Sequence, residues 1–219
     1  NLPCGKVYGS VRKVTDSVYS VANGETAYPL QINEYHFDSL NRLRETYCCS
    51  YRIIQDEPGE EVALSMLHRQ SITYRYDRDG RQVERNTTNC VYLTDTTELK
   101  RVSERLIAQE GNTEKWEVTT IHPDKQVSHS EMTCQYQADR MQVDWYDCNT
   151  QEKSSFIHVF DEQGNSIACD TLRQQTTVYK ATYEIDEFDD EGNWQKRTDF
   201  DENKETLYIT RRRIEYRVP

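Results

Sequence analysis

This chain contains short stretches in which apolar and polar residues alternate one by one, and turn residues separate these stretches. The last segment shows the alternation most clearly, with one mostly apolar set and one charged set: Arg212, Ile214, Tyr216 and Val218 against Arg211, Arg213, Glu215 and Arg217. Successive side chains of a β-strand point to opposite faces, so this period of two predicts a strand whose charged face is solvated.

The same reading predicts strands along most of the chain. Residues 6–21 are rich in Val and Tyr and predict a strand with an interruption. Asn23-Gly24 predicts a two-residue turn, and strands follow around 30–37 and 42–54. The polar stretch 55–61 predicts a loop or a seam between subdomains. From residue 115 to the end the pattern is strand and turn.

Two stretches are ambiguous between helix and strand. Residues 61–70 fit a short helix or a strand that leads into a hairpin at 74. In 94–110, Leu99, Val102 and Leu106 have helical spacing and Gly111 follows them, which favours a helix. The alternative is a strand through 101–109 with a return strand at 116–121. The surrounding hairpins favour the strand, and we predict a strand there.

A hairpin at 183–200 gives the sharpest local prediction. Asp189 can hydrogen-bond the backbone ahead of it, and Gly192 supplies the left-handed residue of a three-residue loop. This register places Phe188 opposite Trp194 and Asp186 opposite Lys196, which are favourable cross-strand pairs.

Weaker copies of this aromatic-Asp-Gly-Asn motif recur upstream. They lie at 74–83, at 159–167 and at 35–43, where Asn41 takes the place of Gly. Residues 136–141 and 200–205 are degenerate candidates. The spacing between copies is irregular, which indicates a recurring hairpin rather than a solenoid with a fixed period.

The fold class that follows is all-β, with little or no helix. Hydrophobic residues are only 35% of the 219, yet 15 are Tyr, which favours strands over disorder. A broad sheet with both faces partly wet reconciles these facts. We therefore predict a single domain over 1–219, built of repeated hairpins in an extended, twisted antiparallel sheet that is open or partly rolled.

The motif at 74–81, Tyr-Arg-Tyr-Asp-Arg-Asp-Gly-Arg, resembles the YD repeat of Rhs-type bacterial proteins. The C-terminal third, and the opening at 5–11, resemble a set of uncharacterised secreted bacterial proteins with YD-like repeats. The resemblance implies a β-rich protein outside the cytoplasm, and it implies no activity.

Charge and hydropathy narrow the partners and the location. The net charge of −11 would repel phosphate backbones, so we predict no nucleic-acid partner. No apolar run approaches the ~20 residues of a membrane-spanning helix, so we predict no transmembrane segment. The chain starts at Asn1 rather than Met, and we expect that a signal segment has been removed from an extracytoplasmic protein.

Candidate chemistry is sparse. Seven cysteines lie at 4, 48, 49, 90, 134, 148 and 169 without a CxxC pair, and free thiols or disulfides both fit them. Cys48 and Cys49 would point to opposite faces of a strand. The Asp-rich turns at 77, 189 and 201 lack the frame of a calcium-binding EF-hand loop. His122 and His129 flank a Pro-Asp turn, and the arginines at 211–213 could face an anion or pair with carboxylates of neighbouring strands.

These observations predict no catalytic residues, no metal site and no cofactor. We predict a non-enzymatic extracytoplasmic module, either a spacer or a binder of protein or glycan through its sheet face. The alternative is a hydrolase, or a carrier of an apolar ligand, built on a half-barrel of the same strands. Closure of the sheet around a cavity would favour the alternative.

Overall fold

The computed structural model describes residues 7–21, 28–54, 63–93, 96–162, 164–173 and 176–218. They form fourteen strands, β1 to β14 in chain order. The strands are β1 Val11–Ser20, β2 Gln31–Phe37, β3 Leu43–Ile54, β4 Ala63–Tyr76, β5 Gln82–Tyr92, β6 Thr97–Glu110, β7 Thr113–Ile121, β8 Val127–Tyr136, β9 Arg140–Asp147, β10 Lys153–Phe160, β11 Ser166–Arg173, β12 Thr176–Phe188, β13 Trp194–Phe200 and β14 Thr206–Tyr216.

The strands form a closed barrel in which each strand pairs with its sequence neighbours. The first and last strands complete the ring through an antiparallel ladder that places Val14 opposite Ile214. The prediction of an all-β fold is confirmed, but the prediction of an open or partly rolled sheet is wrong. In an open sheet, β1 and β14 would be edge strands with unpaired backbone groups. Closure pairs these two strands with each other.

Both ambiguous stretches lie in strands. Thr97–Glu110 is β6, and its Leu106 lies opposite Trp116 of β7. The prediction of a strand is therefore confirmed, although the spacing of the apolar residues fits a helix. The part of 61–70 that the structure describes belongs to β4. The predicted seam at 55–61 and the Asn23-Gly24 turn lie outside the described residues.

The four clear copies of the hairpin motif form the same turn at one end of the barrel, which we call the tight-turn end. At each, the amide of the motif Asp donates to the carbonyl four residues later, as from Asp189 to Asn193 at 2.8 Å. The left-handed residues are Asn41, Gly80, Gly164 and Gly192, with φ between 56° and 83°. The Asp189 carboxylate accepts from the amides of Glu191 and Asn193, which fixes the loop.

The predicted register at 183–200 is confirmed for one of its two pairs. Phe188 lies opposite Trp194, whereas a bulge makes Glu187 the ladder partner of Lys196. Asp186 still contacts Lys196, with 3.4 Å between its Oδ2 and Nζ. The degenerate copy at 200–205 makes the same turn at the opposite end, with Lys204 as its left-handed residue.

The inner face at the tight-turn end carries two buried apolar clusters. One comprises Val11, Val14, Tyr35, Phe37 and Leu43 on β1 to β3, and the other comprises Trp116, Val118, Met132 and Cys134 on β7 and β8. Toward the opposite end the inner positions become polar. Gln31 bonds Asn33, and Gln70 bonds Asn89, at 2.9 and 2.8 Å.

The outer face is charged around the whole circumference. Each of the fourteen strands carries a charged residue at an outer position, namely Lys13, Glu34, Glu45, Arg75, Glu84, Arg105, Glu117, Glu131, Asp144, Lys153, Asp170, Glu184, Lys196 and Arg213. Several form cross-strand pairs, among them Arg105 with Glu117 at 2.7 Å and Lys13 with Glu34 at 2.5 Å. Polar cross-strand pairs of this kind suit a surface in contact with water.

Tyr8 and Gly9, shortly before β1, are fixed to two of the tight turns. The amide of Tyr8 donates to Asn193 Oδ1 at 2.6 Å, and Asn41 Nδ2 donates to the carbonyl of Gly9 at 2.7 Å. The turn residues of the motif therefore also hold residues 8 and 9 against the β2–β3 and β12–β13 turns. In the described part of the chain, no helix is long and apolar enough to cross a membrane.

Candidate functional site: a cavity inside the barrel

The tight-turn half of the barrel contains a cavity of about 720 Å³. Its lining residues come from ten strands, β4 to β13, and therefore from a span of more than half the chain. They are Tyr74, Gln82, Arg85, Glu104, Glu114, Trp116, Met132, Cys134, Tyr136, Met141, Val143, Trp145, Phe156, His158, Phe160, Ser166, Tyr183 and Arg197. This volume lies within the range of small-molecule sites in proteins.

One wall of the cavity is apolar and continuous. The ladders place Cys134 opposite Val143, and Val143 opposite Phe156, so that β8, β9 and β10 present one row of side chains. Met132, Trp145 and Phe160 extend it. Phe156 keeps 36% of its surface accessible although it faces inward, because it borders the cavity. The cavity thus offers accessible apolar surface inside the barrel.

Two arginines line the cavity, and each is paired with a carboxylate. Arg85 Nε donates to Glu104, its cross-strand neighbour on β6. Arg197 donates to Asp199 from Nε and from a terminal nitrogen, at 2.7 and 3.1 Å, and its guanidinium lies 4.5 Å from the centre of the Tyr183 ring. Burial raises the pKa of Asp199, although Arg197 opposes that shift.

Glu114 is held by two aromatic side chains. Its Oε2 accepts from Tyr136 Oη at 3.0 Å and from Trp116 Nε1 at 3.2 Å. Burial raises the pKa of Tyr136, and the nearby Cys134 and Glu114 raise it further, so Tyr136 stays a neutral donor. Glu114 lies one strand from the apolar wall, directly opposite Cys134 in the ladder.

The thiol and the imidazole in the cavity are both uncharged near neutral pH. Burial raises the pKa of Cys134 to about 11, so its thiol is protonated. Burial lowers the pKa of His158, which stacks on Phe160 and has no hydrogen-bond partner within the described residues. Cys169 lies opposite His158, but burial raises its thiol pKa as well. Neither thiol is activated as a nucleophile.

The structure separates the other groups that the sequence singled out. His122 contacts Ser128 at 2.8 Å and His129 contacts Thr119 at 3.4 Å, so they do not share a site. The carboxylates of the Asp turns bond their own loops. No group of metal-binding side chains occurs among the described residues.

The structure shows which way the arginines at 211–213 face and the state of the described cysteines. Arg212 points inward and pairs with Asp16 of β1, whereas Arg211 and Arg213 lie on the outer face. Cys48 and Cys49 point to opposite faces, as predicted, and all six described cysteines are free thiols. Cys4 lies outside the described residues.

The cavity residues were not found from the sequence. Alternation does show that Glu114, Trp116 and Val118 share a face of β7. It gives no sign that this face meets the inner faces of distant strands such as β12 and β13. Glu114 is one of 38 acidic residues and has no motif around it.

These features define the class of the protein as a closed β-barrel with an internal, mostly apolar cavity. No protein-family model matches the chain, and no curated protein matches it. A porin-like protein from Bacteroides vulgatus ATCC 8482 is similar in structure, with a TM-score of 0.53, 10% identity, and coverage of 95% of this chain and 99% of the other.

A porin-like protein from Bacteroides uniformis ATCC 8492 covers 95% of this chain and 100% of the other, with a TM-score of 0.47 and 11% identity. The similarity to the Bacteroides vulgatus protein supports the barrel fold and nothing more specific. The resemblance to YD and Rhs repeats stays a prediction, since no family model matches the chain.

Proposed function

We propose that this protein is a non-enzymatic carrier that binds a small amphipathic molecule inside its barrel, in an aqueous compartment outside the cytoplasm. The observation that supports this most directly is the cavity of about 720 Å³, whose apolar wall remains accessible at Phe156. Such a concave apolar site with a few polar groups is typical of ligand-binding proteins. Binding of protein or glycan by the outer face remains a prediction.

The outer face favours a carrier over a membrane channel. A barrel that spans a bilayer needs an outward apolar band about 25 Å tall, and a Lys or Arg at the bilayer centre costs roughly 2–4 kcal/mol. Here every strand carries a charge outside, and the central outer positions of β6 and β7 are Arg105 and Glu117. The buried apolar clusters lie on the inner face, and the outer face also holds exposed apolar side chains such as Leu99, Ile121 and Val127.

The proposal is tested with N-phenyl-1-naphthylamine, a neutral apolar probe whose fluorescence rises in apolar sites. We expect saturable binding with one probe per chain. Val143→Trp places an indole in the middle of the apolar wall, between Cys134 and Phe156, and should weaken binding at least about tenfold because it occupies the probe's contact surface. The measurement is a fluorescence titration of each purified variant.

Gln142→Trp is the matched control, since it adds the same side chain on the outer face of the same strand. It should leave probe affinity within about twofold of wild type, because it does not reach the cavity. Absence of saturable probe binding by the wild-type protein would overturn the carrier proposal. Equal effects of the two substitutions would locate binding elsewhere on the protein.

We also expect that the protein neither enters a lipid bilayer nor conducts ions across it. The folded protein should stay in the aqueous phase when it is mixed with phosphatidylcholine vesicles and should produce no stepwise conductance in a planar bilayer. The physical reason is the charged outer face, which would have to be desolvated at many positions. Flotation measures the partition, and reproducible conductance steps would contradict the proposal.

A further inference from the structure

The carboxylate of Glu114 differs from the three buried carboxylates of the described inner face. Asp16, Glu104 and Asp199 are buried, and each is paired with an arginine: Arg212, Arg85 and Arg197. Glu114 also lines the cavity, but its hydrogen bonds come from the neutral groups of Tyr136 and Trp116. No cationic side chain of the described residues lies within ion-pair distance of it.

The surroundings of Glu114 suit a cation. Trp116 is 4% exposed, and the rings of Trp116 and Tyr136 border the cavity beside the carboxylate. A carboxylate in a partly desolvated site gains most from a partner of opposite charge. The apolar wall on β8 to β10 adjoins it, because Glu114 lies opposite Cys134.

The remaining charges in the cavity do not supply that partner. Arg85 is bonded to Glu104, and Arg197 is bonded to Asp199. His158 is kept neutral by burial. Each arginine is thus balanced by a carboxylate, and among the described lining residues the charge of Glu114 is left without a cationic partner.

We propose that the ligand carries a single protonated amine on an apolar body, and that Glu114 binds the ammonium group while the wall around Val143 and Phe156 binds the body. This inference deepens the proposed carrier function and depends on it. Its physical content is a charge-assisted hydrogen bond from the ammonium group to the Glu114 carboxylate.

The test compares three ligands of equal chain length: n-decylamine, n-decanol and decanoate. Each is titrated, below its aggregation concentration, as a competitor of bound N-phenyl-1-naphthylamine. We expect decylamine to bind at least about tenfold more tightly than decanol, because only the amine forms an ion pair with Glu114. Decanoate should bind more weakly than decanol, because its charge has the same sign as that of Glu114.

Glu114→Gln keeps the shape of the side chain and its acceptor oxygen but removes the charge. It should abolish the preference for decylamine, so that decylamine and decanol displace the probe at similar concentrations. Glu117→Gln is the matched control, since Glu117 lies on the outer face of the same strand and pairs with Arg105 at 2.7 Å. It should keep the preference, and circular dichroism should show that both variants fold.

The outcomes separate the two proposals. Three results would overturn the assignment of an amine ligand while the carrier function stands. They are equal affinity of decylamine and decanol, tighter binding of decanoate than of decanol, and a preference for decylamine that survives Glu114→Gln. Failure of both the probe and decanol to bind the wild-type protein would overturn the carrier function itself.

Discussion

Asp16→Ala is expected to lower the free energy of unfolding by about 3–5 kcal/mol, the largest effect of any single substitution considered for this barrel. The Asp16 carboxylate receives two hydrogen bonds from Arg212, both at 2.7 Å, and 1% of the Arg212 side chain is exposed. Removal of the carboxylate leaves a buried, unpaired guanidinium over the Trp194 ring, whose centre lies 3.5 Å away. The measurement is equilibrium unfolding in urea.

Two control variants separate the ion pair from general effects of mutation. Asp16→Leu combined with Arg212→Met removes both charges and should lose much less stability than Asp16→Ala, because no charge stays unpaired. Glu117→Ala breaks an exposed pair on the outer face and should cost less than about 1 kcal/mol. If the double variant were as unstable as Asp16→Ala, the loss would come from packing rather than from the unpaired charge.

Asn193→Ala is expected to lower the free energy of unfolding by about 2–3 kcal/mol. Asn193 is 1% exposed, and its amide side chain bonds Tyr8 at both backbone groups and the Tyr216 hydroxyl at 2.8 Å. Alanine keeps the backbone turn but removes the three hydrogen bonds that join it to Tyr8 and Tyr216. The side chain joins Tyr8, the last strand and the β12–β13 turn, so its loss should also loosen the closure of the barrel.

Asn165→Ala provides the matched control for that result. Asn165 occupies the same position of the same turn, is also buried, and bonds Asp161 within its own loop at 2.9 Å. It has no bond to a distant segment among the described residues. We expect it to cost about 1 kcal/mol, measured in the same urea titration. Equal losses in the two variants would show that the bonds of Asn193 to Tyr8 and Tyr216 contribute nothing to stability.

The turns were predictable from the sequence because their causes are local. Asp189 and Gly192 act within five residues of chain, through a carboxylate that accepts backbone amides and a residue that tolerates positive φ. The same local rule identified Asn41 as a substitute for Gly, and Asn41 has φ 56°. The tertiary bonds of Asn41 and Asn193 to residues 8 and 9 had no local signal.

Alternation also predicted which residues share a face, and the last strand follows it. Ile214 lies opposite Val14 inside the barrel, and Arg213 lies opposite Thr15 outside. The low hydrophobic content was interpreted as a sheet with two partly wet faces. In the structure every strand carries a charged residue on the outer face, and the inner face is apolar toward the tight turns and polar toward the other end.

The sequence by itself determined that this chain forms strands, where several of its hairpins turn, and which side chains alternate. Only the tertiary structure decided that the sheet closes, because an open sheet and a barrel share the same period of two and differ in the pairing of β1 with β14. Closure brings Tyr74 and Arg197 to one cavity although they are far apart in the chain. The candidate ligand site therefore exists only as a product of the closed ring.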